Sequence, residues 1–308
     1  MEYHVPVLLK QSVEALQIKK GGVYVDVTFG GGGHSLEIFN QLQEGVLLSF
    51  DQDPDAAANA EDFKSDASRS FIFVSANFRN LKRYLAFHGY HKVDGILADL
   101  GVSSHQFDDP SRGFSIRDSG DLNMRMDQSS EASAAQVINN YSEEKLIHIF
   151  SYYGDIKNAR TLARQIVQER SNSKIETTGR LREVAEKVAP KGKWNKYLAQ
   201  LFQAIRIEVN GEMDALMDLL DQSAQVLNPG GRLVAISYHS LEDRLVKNYL
   251  NSGDFKGNQE KDFYGNLVRP YQPVTRKPIV PDQEEIEKNS RARSAKMRIG
   301  EKIESVNK

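Results

Sequence analysis

Hydrophobic positions follow two different periods in the first hundred residues of the chain. Short runs rich in valine, leucine, isoleucine and phenylalanine have the length of buried strands, and between them apolar residues recur at helical spacing. Strands are predicted at 23–27, 46–50, 71–74 and 93–98, and helices at 7–16, 35–42 and 81–87. An aspartate followed by a proline at 53–54 indicates a further helix start. Strands that alternate with helices in this way form a parallel sheet.

The alternation stops near residue 107 and resumes after residue 206. Between these positions the pattern predicts amphipathic helices and no convincing strand, with helices starting at Ser142 and spanning 156–170 and 178–188. After residue 206 the pattern predicts a helix at 210–227, a Pro-Gly-Gly turn, a strand at 232–237, a helix capped at Ser240 and a closing strand at 294–299.

This order predicts an α/β fold, a doubly wound, Rossmann-like sheet with helices on both faces that is interrupted by a helical insert domain. The expected division is a first part of the sheet domain at 1–106, a helical insert at 107–206 and a second part of the sheet domain at 207–308.

The composition indicates a soluble globular protein, with 40% hydrophobic and 27% charged residues. No apolar run approaches the ~20 residues of a membrane span, and the N-terminus lacks the basic and apolar regions of a signal peptide. The absence of cysteine excludes disulfides and thiolate chemistry and fits a reducing compartment. We therefore expect a cytoplasmic protein that does not enter membranes.

The net charge of −2 conceals an uneven distribution of charge. Residues 157–206 contain twelve lysines and arginines but only four acidic residues, so the insert is basic within an otherwise acidic chain. Such a segment is typical of a surface that meets the phosphates of a nucleic acid. A solvated helix face has the same composition, and charge alone does not separate the two interpretations.

Four consecutive glycines at 30–33 connect the first strand to the following helix. Glycine lacks a Cβ atom, so the backbone can turn tightly and approach a ligand closely. Asp51 ends the second strand eighteen residues after Gly33, where a carboxylate can accept hydrogen bonds from ribose hydroxyls. This arrangement indicates a nucleoside cofactor, either a dinucleotide or S-adenosylmethionine. The Pro-Gly-Gly turn and the basic insert favour a methyltransferase that acts on nucleic acid.

Three predicted site residues lie at strand ends or in the loops that leave them. Asp51, Phe78 and Asp99 follow the second, third and fourth strands of the predicted sheet. Ligands of such sheets bind at the carboxyl ends of the parallel strands, so we expect these residues to meet in one cleft.

Several motifs resemble, in the same order, those of one protein family. They are HVPVLL at 4–9, TFGGGGHS at 28–35, DLGVSS at 99–104, RGFS at 112–115, MRMD at 124–127, FQAIRI at 202–207 with VN at 209–210, SYHSLEDR at 237–244 and SRARS at 290–294. Over almost its whole length the chain thus resembles the bacterial small-subunit ribosomal RNA cytosine-N4 methyltransferases (RsmH, formerly MraW).

The resemblance implies a methyltransferase sheet that binds S-adenosylmethionine and an enzyme that methylates the exocyclic N4 amine of a cytosine. The substrate it implies is the decoding region of 16S ribosomal RNA in the small ribosomal subunit, which the helical insert helps to recognise. The cofactor contacts that the resemblance carries over fall on Gly32, Gly33, His34, Asp51, Phe78, Asp99 and Gln106.

Asp99 is the residue expected to organise methyl transfer. The lone pair of the cytosine amine is delocalised into the ring, so its attack on a methyl group requires an acceptor for an amine hydrogen as well as accurate placement. Contact with the cofactor alone is the competing role for Asp99. No cluster of histidines and carboxylates has metal-ligand spacing, so no protein-bound metal is expected.

Two other functions remain open on the sequence. One is an NAD-dependent oxidoreductase built on the same Rossmann sheet. The other is a ribosome-assembly factor that binds RNA without catalysis.

Overall fold

The computed structural model describes residues 6–304, except for the side chain of Ser104. The first two positions of the motif at 4–9 lie outside the described residues. The chain divides into two compact units: residues 1–101 together with 213–308, called the sheet unit, and residues 102–212, called the helical unit. The helical unit extends beyond the predicted 107–206 insert at both ends, and its role in RNA recognition stays a prediction.

The sheet unit contains a seven-stranded mixed sheet, which confirms the predicted Rossmann-like α/β class. Its strands are β1 Gly22–Asp26, β2 Gly45–Asp51, β3 Arg69–Ser75, β4 Val93–Asp99, β5 Leu227–Ser237, β6 Tyr271–Pro273 and β7 Lys296–Lys302. Their spatial order is β3-β2-β1-β4-β5-β7-β6, with parallel pairing from β3 to β5 and antiparallel pairing of β7 with both β5 and β6.

The strand order reverses between β1 and β4. Strand β1 pairs with β2 on one side and with β4 on the other, so the chain proceeds outward in both directions from this point. In open α/β sheets, a crevice forms outside the carboxyl ends of the strands at such a switch point. The glycine loop after β1 and Asp99 at the end of β4 therefore flank the expected ligand site.

The helices that the structure describes are numbered along the chain. They are α1 Leu9–Leu16, α2 Gly33–Gln41, α3 Leu81–Phe87, α4 Ser104–Asp108, α5 Ala134–Asn140, α6 Glu143–Tyr152, α7 Ala159–Asn172, α8 Thr178–Glu186, α9 Trp194–Asn210, α10 Glu212–Val226, α11 Ser240–Ser252 and α12 Gln283–Lys288. None of the described helices is both long and apolar enough to cross a membrane.

Both faces of the sheet are buried by helices. Neighbouring strand residues point to opposite faces, and Tyr24 and Val25 of β1 accordingly belong to two different apolar clusters although both are fully buried. Helices α1 and α2 contribute to the cluster around Tyr24, and α3, α10 and α11 contribute to the cluster around Val25. This burial on both sides explains the continuous apolar runs of the strands.

The helical unit has its own apolar core. Helix α9 packs against α5, α6 and α8, and its buried side chains recur at helical spacing, as in Leu198, Leu201 and Ile205. The sequence pattern did not predict α9 as one element, nor did it predict strand β6.

The predicted helix start at 53–54 is confirmed, because Pro54–Asp62 is a 3₁₀ helix and the Asp53 side chain caps it by accepting a hydrogen bond from the Asp55 amide at 3.1 Å. Two other predicted boundaries are wrong in detail. The residue that caps α11 is His239 and not Ser240. Strand β5 begins at Leu227, so the predicted Pro-Gly-Gly turn is an irregularity within the strand, with Gly230 at a φ of 77°.

Candidate functional site

The glycine loop presents open backbone at the start of α2. Gly30 and Gly32 adopt positive φ values of 51° and 80°, and a Cβ atom on Gly31 would meet nothing within 4 Å. No side chain caps the N-terminus of α2. Free backbone N–H groups at a helix N-terminus attract anionic groups. The loop can therefore cradle a carboxylate or phosphate group of a ligand.

The packing of the N-terminal segment also requires glycine at position 33. A Cβ atom on Gly33 would collide with the ring of Pro6, so the N-terminal segment can lie against the loop only because position 33 is glycine. The carbonyl of Val7 in the same segment accepts a hydrogen bond from His34 Nε2 at 3.1 Å. Pro6 and Val7 of the N-terminal motif thus pack against the end of the glycine loop and the start of α2.

Asp51 ties the end of β2 to the glycine loop. Its Oδ2 accepts a hydrogen bond from the Gly30 amide at 2.7 Å, and its Oδ1 accepts one from the Asp53 amide at 2.8 Å. Burial raises the pKa of Asp51 to about 6, although both amides oppose this shift. The carboxylate is still ionised at neutral pH, and its remaining lone pairs can accept hydrogen bonds from ribose hydroxyls.

Phe78 begins a short 3₁₀ turn, Phe78–Asn80, after β3, and its ring is half-buried. The loop that precedes it is joined to the loop after β2, because Asn77 Nδ2 donates to Gln52 Oε1 at 2.7 Å. Since β2 and β3 pair in register up to their last residues, Asp51 and Phe78 lie on adjacent loops at one edge of the sheet.

Asp99 is held from both its side chain and its backbone. Its Oδ1 accepts a hydrogen bond from the Tyr238 hydroxyl at 2.7 Å, and its backbone N–H donates to Thr28 Oγ1 at 2.7 Å. Burial raises the pKa of Asp99 to about 6, whereas His34 and the Tyr238 hydroxyl act in the opposite direction. These two hydrogen bonds orient Asp99, and 21% of its side chain remains exposed.

His34 lies beside Asp99 on the first turn of α2. Its ring is buried, and Nδ1 is 3.6 Å from Asp99 Oδ2. The structure therefore brings together the glycine loop, His34 and Asp99 at the ends of β1 and β4, with Asp51 joined to the same loop. Their contacts with a cofactor stay predictions.

Sequence reasoning missed a polar network beneath the glycine loop. The fully buried Asp26 accepts hydrogen bonds from the Ser35 hydroxyl at 2.6 Å and the Thr28 amide at 3.0 Å, and Ser35 Oγ lies 2.8 Å from Ser49 Oγ. Tyr238 was also missed as a partner of Asp99. A signal existed for both, because Asp26 and Tyr238 stand at or directly after the carboxyl ends of buried strands.

Gln106 belongs to the helical unit. Its side-chain Oε1 accepts a hydrogen bond from the Ser103 amide at 3.1 Å, and its own amide donates to Ser103 Oγ at 3.3 Å, which forms a capping box for α4. Its predicted cofactor contact stays a prediction.

Two motifs of the helical unit have a structural role. The Asn210 side chain accepts from the Met126 amide and donates to the Met124 carbonyl, each at 2.8 Å. The buried Arg112 donates to the carbonyls of Arg125 and Met126 at 3.1 and 3.3 Å. Both methionines lie in the apolar core of this unit. These contacts fix the loop that contains the MRMD motif.

The basic residues of the helical unit fall into two groups. Arg170 donates to two backbone carbonyls, and Arg180 and Lys187 both pair with Glu169. In contrast, Arg160 and Arg164 of α7 are exposed, and the nearest carboxylate to Arg164 is Glu143 at 3.8 Å. The surplus of positive charge available to a ligand is therefore smaller than the sequence count indicates.

These residues fit a nucleoside cofactor with an anionic end. The open loop at Gly31 and the uncapped start of α2 suit a carboxylate group, and Asp51 supplies an ionised acceptor at the next strand end. The ring of Phe78 offers a partly exposed apolar surface on the adjacent loop.

Comparison with known proteins identifies close relatives. The MraW methylase family matches residues 1–303 of this chain. Ribosomal RNA small subunit methyltransferase H of Cytophaga hutchinsonii is 57% identical over 300 residues, which cover 97% of this chain and 99% of that protein. The protein of the same name from Flavobacterium johnsoniae is 55% identical over 304 residues, with 98% and 99% covered.

A solved rRNA methylase structure from Streptococcus thermophilus aligns with 98% of this chain and 99% of its own. The TM-score is 0.43 and the sequence identity is 10%. The strand order itself identifies the fold.

Proposed function

This chain belongs to the MraW methylase family, and on that basis we propose that it transfers a methyl group from S-adenosylmethionine to the N4 amine of a cytosine in the decoding region of 16S ribosomal RNA. The observation that carries the proposal is the grouping of the glycine loop, Asp51 and Asp99 at one edge of the sheet. The names of the close relatives, which specify the small ribosomal subunit, supply the substrate. The family match does not support the oxidoreductase or the non-catalytic assembly factor.

The sheet unit would hold the cofactor with residues of three neighbouring loops. The backbone amides at the start of α2 would bind a carboxylate, with Gly31 leaving space for it, and Asp51 would accept hydrogen bonds from ribose hydroxyls. Phe78 would pack against the adenine. When bound, S-adenosylmethionine supplies a methyl group activated by a sulfonium sulfur.

Asp99 would act on the target amine. A cytosine amine is a poor nucleophile, so an ionised acceptor that takes one of its hydrogens favours the attack. The Tyr238 hydroxyl occupies Oδ1 of Asp99, which leaves Oδ2 as the atom available to the substrate and to His34. The base would have to leave its stack to reach Asp99, as other base-modifying enzymes require.

The helical unit would contact the phosphates of the RNA. Arg160 and Arg164 are exposed on one helix, where neutralisation of phosphates releases counterions and favours binding. A substrate in the small ribosomal subunit would place the protein in the cytoplasm.

The deciding experiment compares ribosomal RNA from cells with and without the protein by mass spectrometry of nucleosides. We expect N4-methylcytidine in 16S RNA to disappear on deletion and to return with the wild-type gene but not with an Asp99→Asn variant. Unchanged modification after deletion would exclude the proposed reaction. Titration of the pure protein with S-adenosylmethionine and with NAD tests the cofactor separately, and preferential binding of NAD would contradict the proposal.

A further inference from the structure

The hydrogen bond of His34 determines where its ring carries a proton. A backbone carbonyl can only accept hydrogen bonds, so His34 Nε2 must be protonated where it meets the Val7 carbonyl at 3.1 Å. In the neutral imidazole the lone pair is then on Nδ1, and this atom is 3.6 Å from Asp99 Oδ2. Two acceptors that face each other repel unless a proton lies on one of them.

The other oxygen of Asp99 is already engaged. Tyr238 donates its hydroxyl hydrogen to Oδ1 at 2.7 Å, and burial, together with the negative charge of Asp99, raises the pKa of this phenol well above its ordinary value. Tyr238 therefore remains a donor at neutral pH. It fixes the rotation of the carboxylate so that Oδ2 faces His34.

We propose that His34, Asp99 and Tyr238 form a proton relay, in which Asp99 Oδ2 accepts a proton from the substrate amine and His34 Nδ1 then receives it, while Tyr238 is a positioning residue. The inference rests on the proposed function, because the amine is the source of the proton. Methylation leaves the exocyclic nitrogen with one proton in excess. That proton moves to Asp99 Oδ2 while its bonding electron pair returns to nitrogen, and its transfer to His34 produces an imidazolium ion.

The surroundings disfavour further negative charge at Asp99 and Tyr238. Besides burial, the charges of Asp26 from β1 and Glu242 from α11 raise the pKa of Asp99, and those of Glu242 and of Glu285 from α12 raise the pKa of Tyr238. These carboxylates oppose a second negative charge at Asp99 and so favour retention of the proton within the cluster. The 3.6 Å separation exceeds the length of a hydrogen bond, so transfer requires the Asp99 carboxylate to move toward the ring.

The relay can be tested on the free protein, without cofactor or RNA, by ¹⁵N NMR of histidine side chains during a pH titration. Loss of one set of signals in His34→Gln assigns the resonances. We expect the Nε2-protonated tautomer of His34 in the neutral ring, and in Asp99→Asn a changed ¹⁵N chemical shift of Nδ1, because the carboxylate that faces this atom becomes an amide. Tyr90→Phe, which removes a hydroxyl elsewhere in the sheet unit, should leave this chemical shift unchanged.

Tyr238→Phe provides the test of positioning. Loss of the hydroxyl removes a hydrogen bond that favours the ionised form of Asp99, so the acid limb of the pH profile of single-turnover methylation should move to higher pH by about one unit at saturating cofactor. A uniform rate loss without a shift would contradict the positioning role.

An Nδ1-protonated tautomer of the neutral ring, or an Nδ1 chemical shift that is the same in Asp99→Asn and the wild type, would overturn the relay even in an active methyltransferase. Conversely, a wild-type protein that binds S-adenosylmethionine but methylates no ribosomal RNA would refute the proposed function and leave the NMR result intact. If Tyr238→Phe fails to fold, the Asp99→Asn titration alone decides between the outcomes.

Discussion

Asp99 and Tyr238 are 139 positions apart in the chain, yet their side chains form a hydrogen bond of 2.7 Å. Asp99 ends β4 and Tyr238 directly follows the neighbouring strand β5, and the helical unit is inserted in the chain between them. Because both strands run in the same direction, their carboxyl ends meet at one edge of the sheet, and a phenol is thereby placed against the proposed proton acceptor.

Gly31→Ala should weaken cofactor binding without loss of stability. Position 31 has a negative φ and open space around its Cβ, so alanine fits the fold but extends into the proposed cradle. Titration calorimetry with S-adenosylmethionine and a denaturant curve check the two expectations. Gly33→Ala is the matched variant, because its Cβ meets Pro6, and it should lower the free energy of unfolding. Unchanged affinity in Gly31→Ala would place the cofactor elsewhere.

Asp51→Ala should reduce affinity for S-adenosylmethionine about tenfold or more, because hydrogen bonds to a charged group contribute about 1.5–3 kcal/mol. Calorimetry at about pH 7.5, where a carboxylate with a pKa of about 6 is ionised, measures this loss. Exposed Asp66, replaced in the same way, serves as the control. Equal dissociation constants for Asp51→Ala and the wild type would show that the carboxylate does not contact the ribose.

The same carboxylate should make stability depend on pH. The pKa of Asp51 is raised to about 6 by burial, so the folded protein binds a proton more tightly than the unfolded chain does. The free energy of unfolding therefore decreases as pH rises from about 4 to about 6. The loss is roughly 3 kcal/mol, because the pKa of Asp51 lies about two pH units above its ordinary value. Denaturant unfolding at several pH values should show this loss of free energy of unfolding in the wild type and not in Asp51→Asn, whose side chain does not titrate. The same pH dependence in both proteins would contradict the raised pKa of Asp51.

Asp99→Asn should reduce the rate of single-turnover methylation by ~100-fold or more while cofactor affinity stays near normal. General acid–base catalysis contributes ~10²–10⁴-fold, and asparagine keeps the shape of the side chain without accepting a proton. Methylation of small-subunit RNA at saturating cofactor and a separate binding titration distinguish the roles. If binding and rate fall together and high cofactor restores the rate, Asp99 is a cofactor ligand only.

Reversal of charge at Arg160 and Arg164 should weaken RNA binding and flatten its dependence on salt. Each phosphate that the protein no longer neutralises reduces the slope of log K against log salt by about 0.7–0.9. Filter binding of the Arg160→Glu, Arg164→Glu variant over a range of salt measures both effects. A variant with Arg83→Glu and Lys247→Glu has the same net charge but changes exposed residues of the sheet unit. Identical behaviour of the two variants would show that α7 has no specific role.

Arg170→Ala should act on stability rather than on RNA. Its guanidinium donates to the carbonyls of Ile138 and Tyr141, each at 2.6 Å, and its loss leaves two partly buried acceptors unpaired. A decrease of about 3 kcal/mol in the free energy of unfolding is expected. Lys174→Ala, an exposed residue beyond α7, should change stability by less than about 0.5 kcal/mol.

Local patterns predicted most of the sheet unit. The boundaries of β1 to β4 agree with the predicted strands to within a few residues, and α3 agrees at both ends. The period of apolar residues is a property of neighbouring positions, so it can be recognised without knowledge of the fold. Helix α9 was not predicted, although its buried residues recur at helical spacing and were open to the same approach. The cap of α11 was missed because histidine is an uncommon capping residue.

The sequence by itself determined the alternation of strands and helices, the glycine turn and the positions of Asp51 and Asp99 at strand ends. Only the tertiary structure decided that β7 pairs between β5 and β6, that Pro6 requires glycine at position 33, and that Tyr238 and His34 meet Asp99. The physical reason is the range of the interactions. Periodicity and turn chemistry act over a few residues, whereas strand pairing and side-chain contacts join positions that become neighbours only when the chain folds.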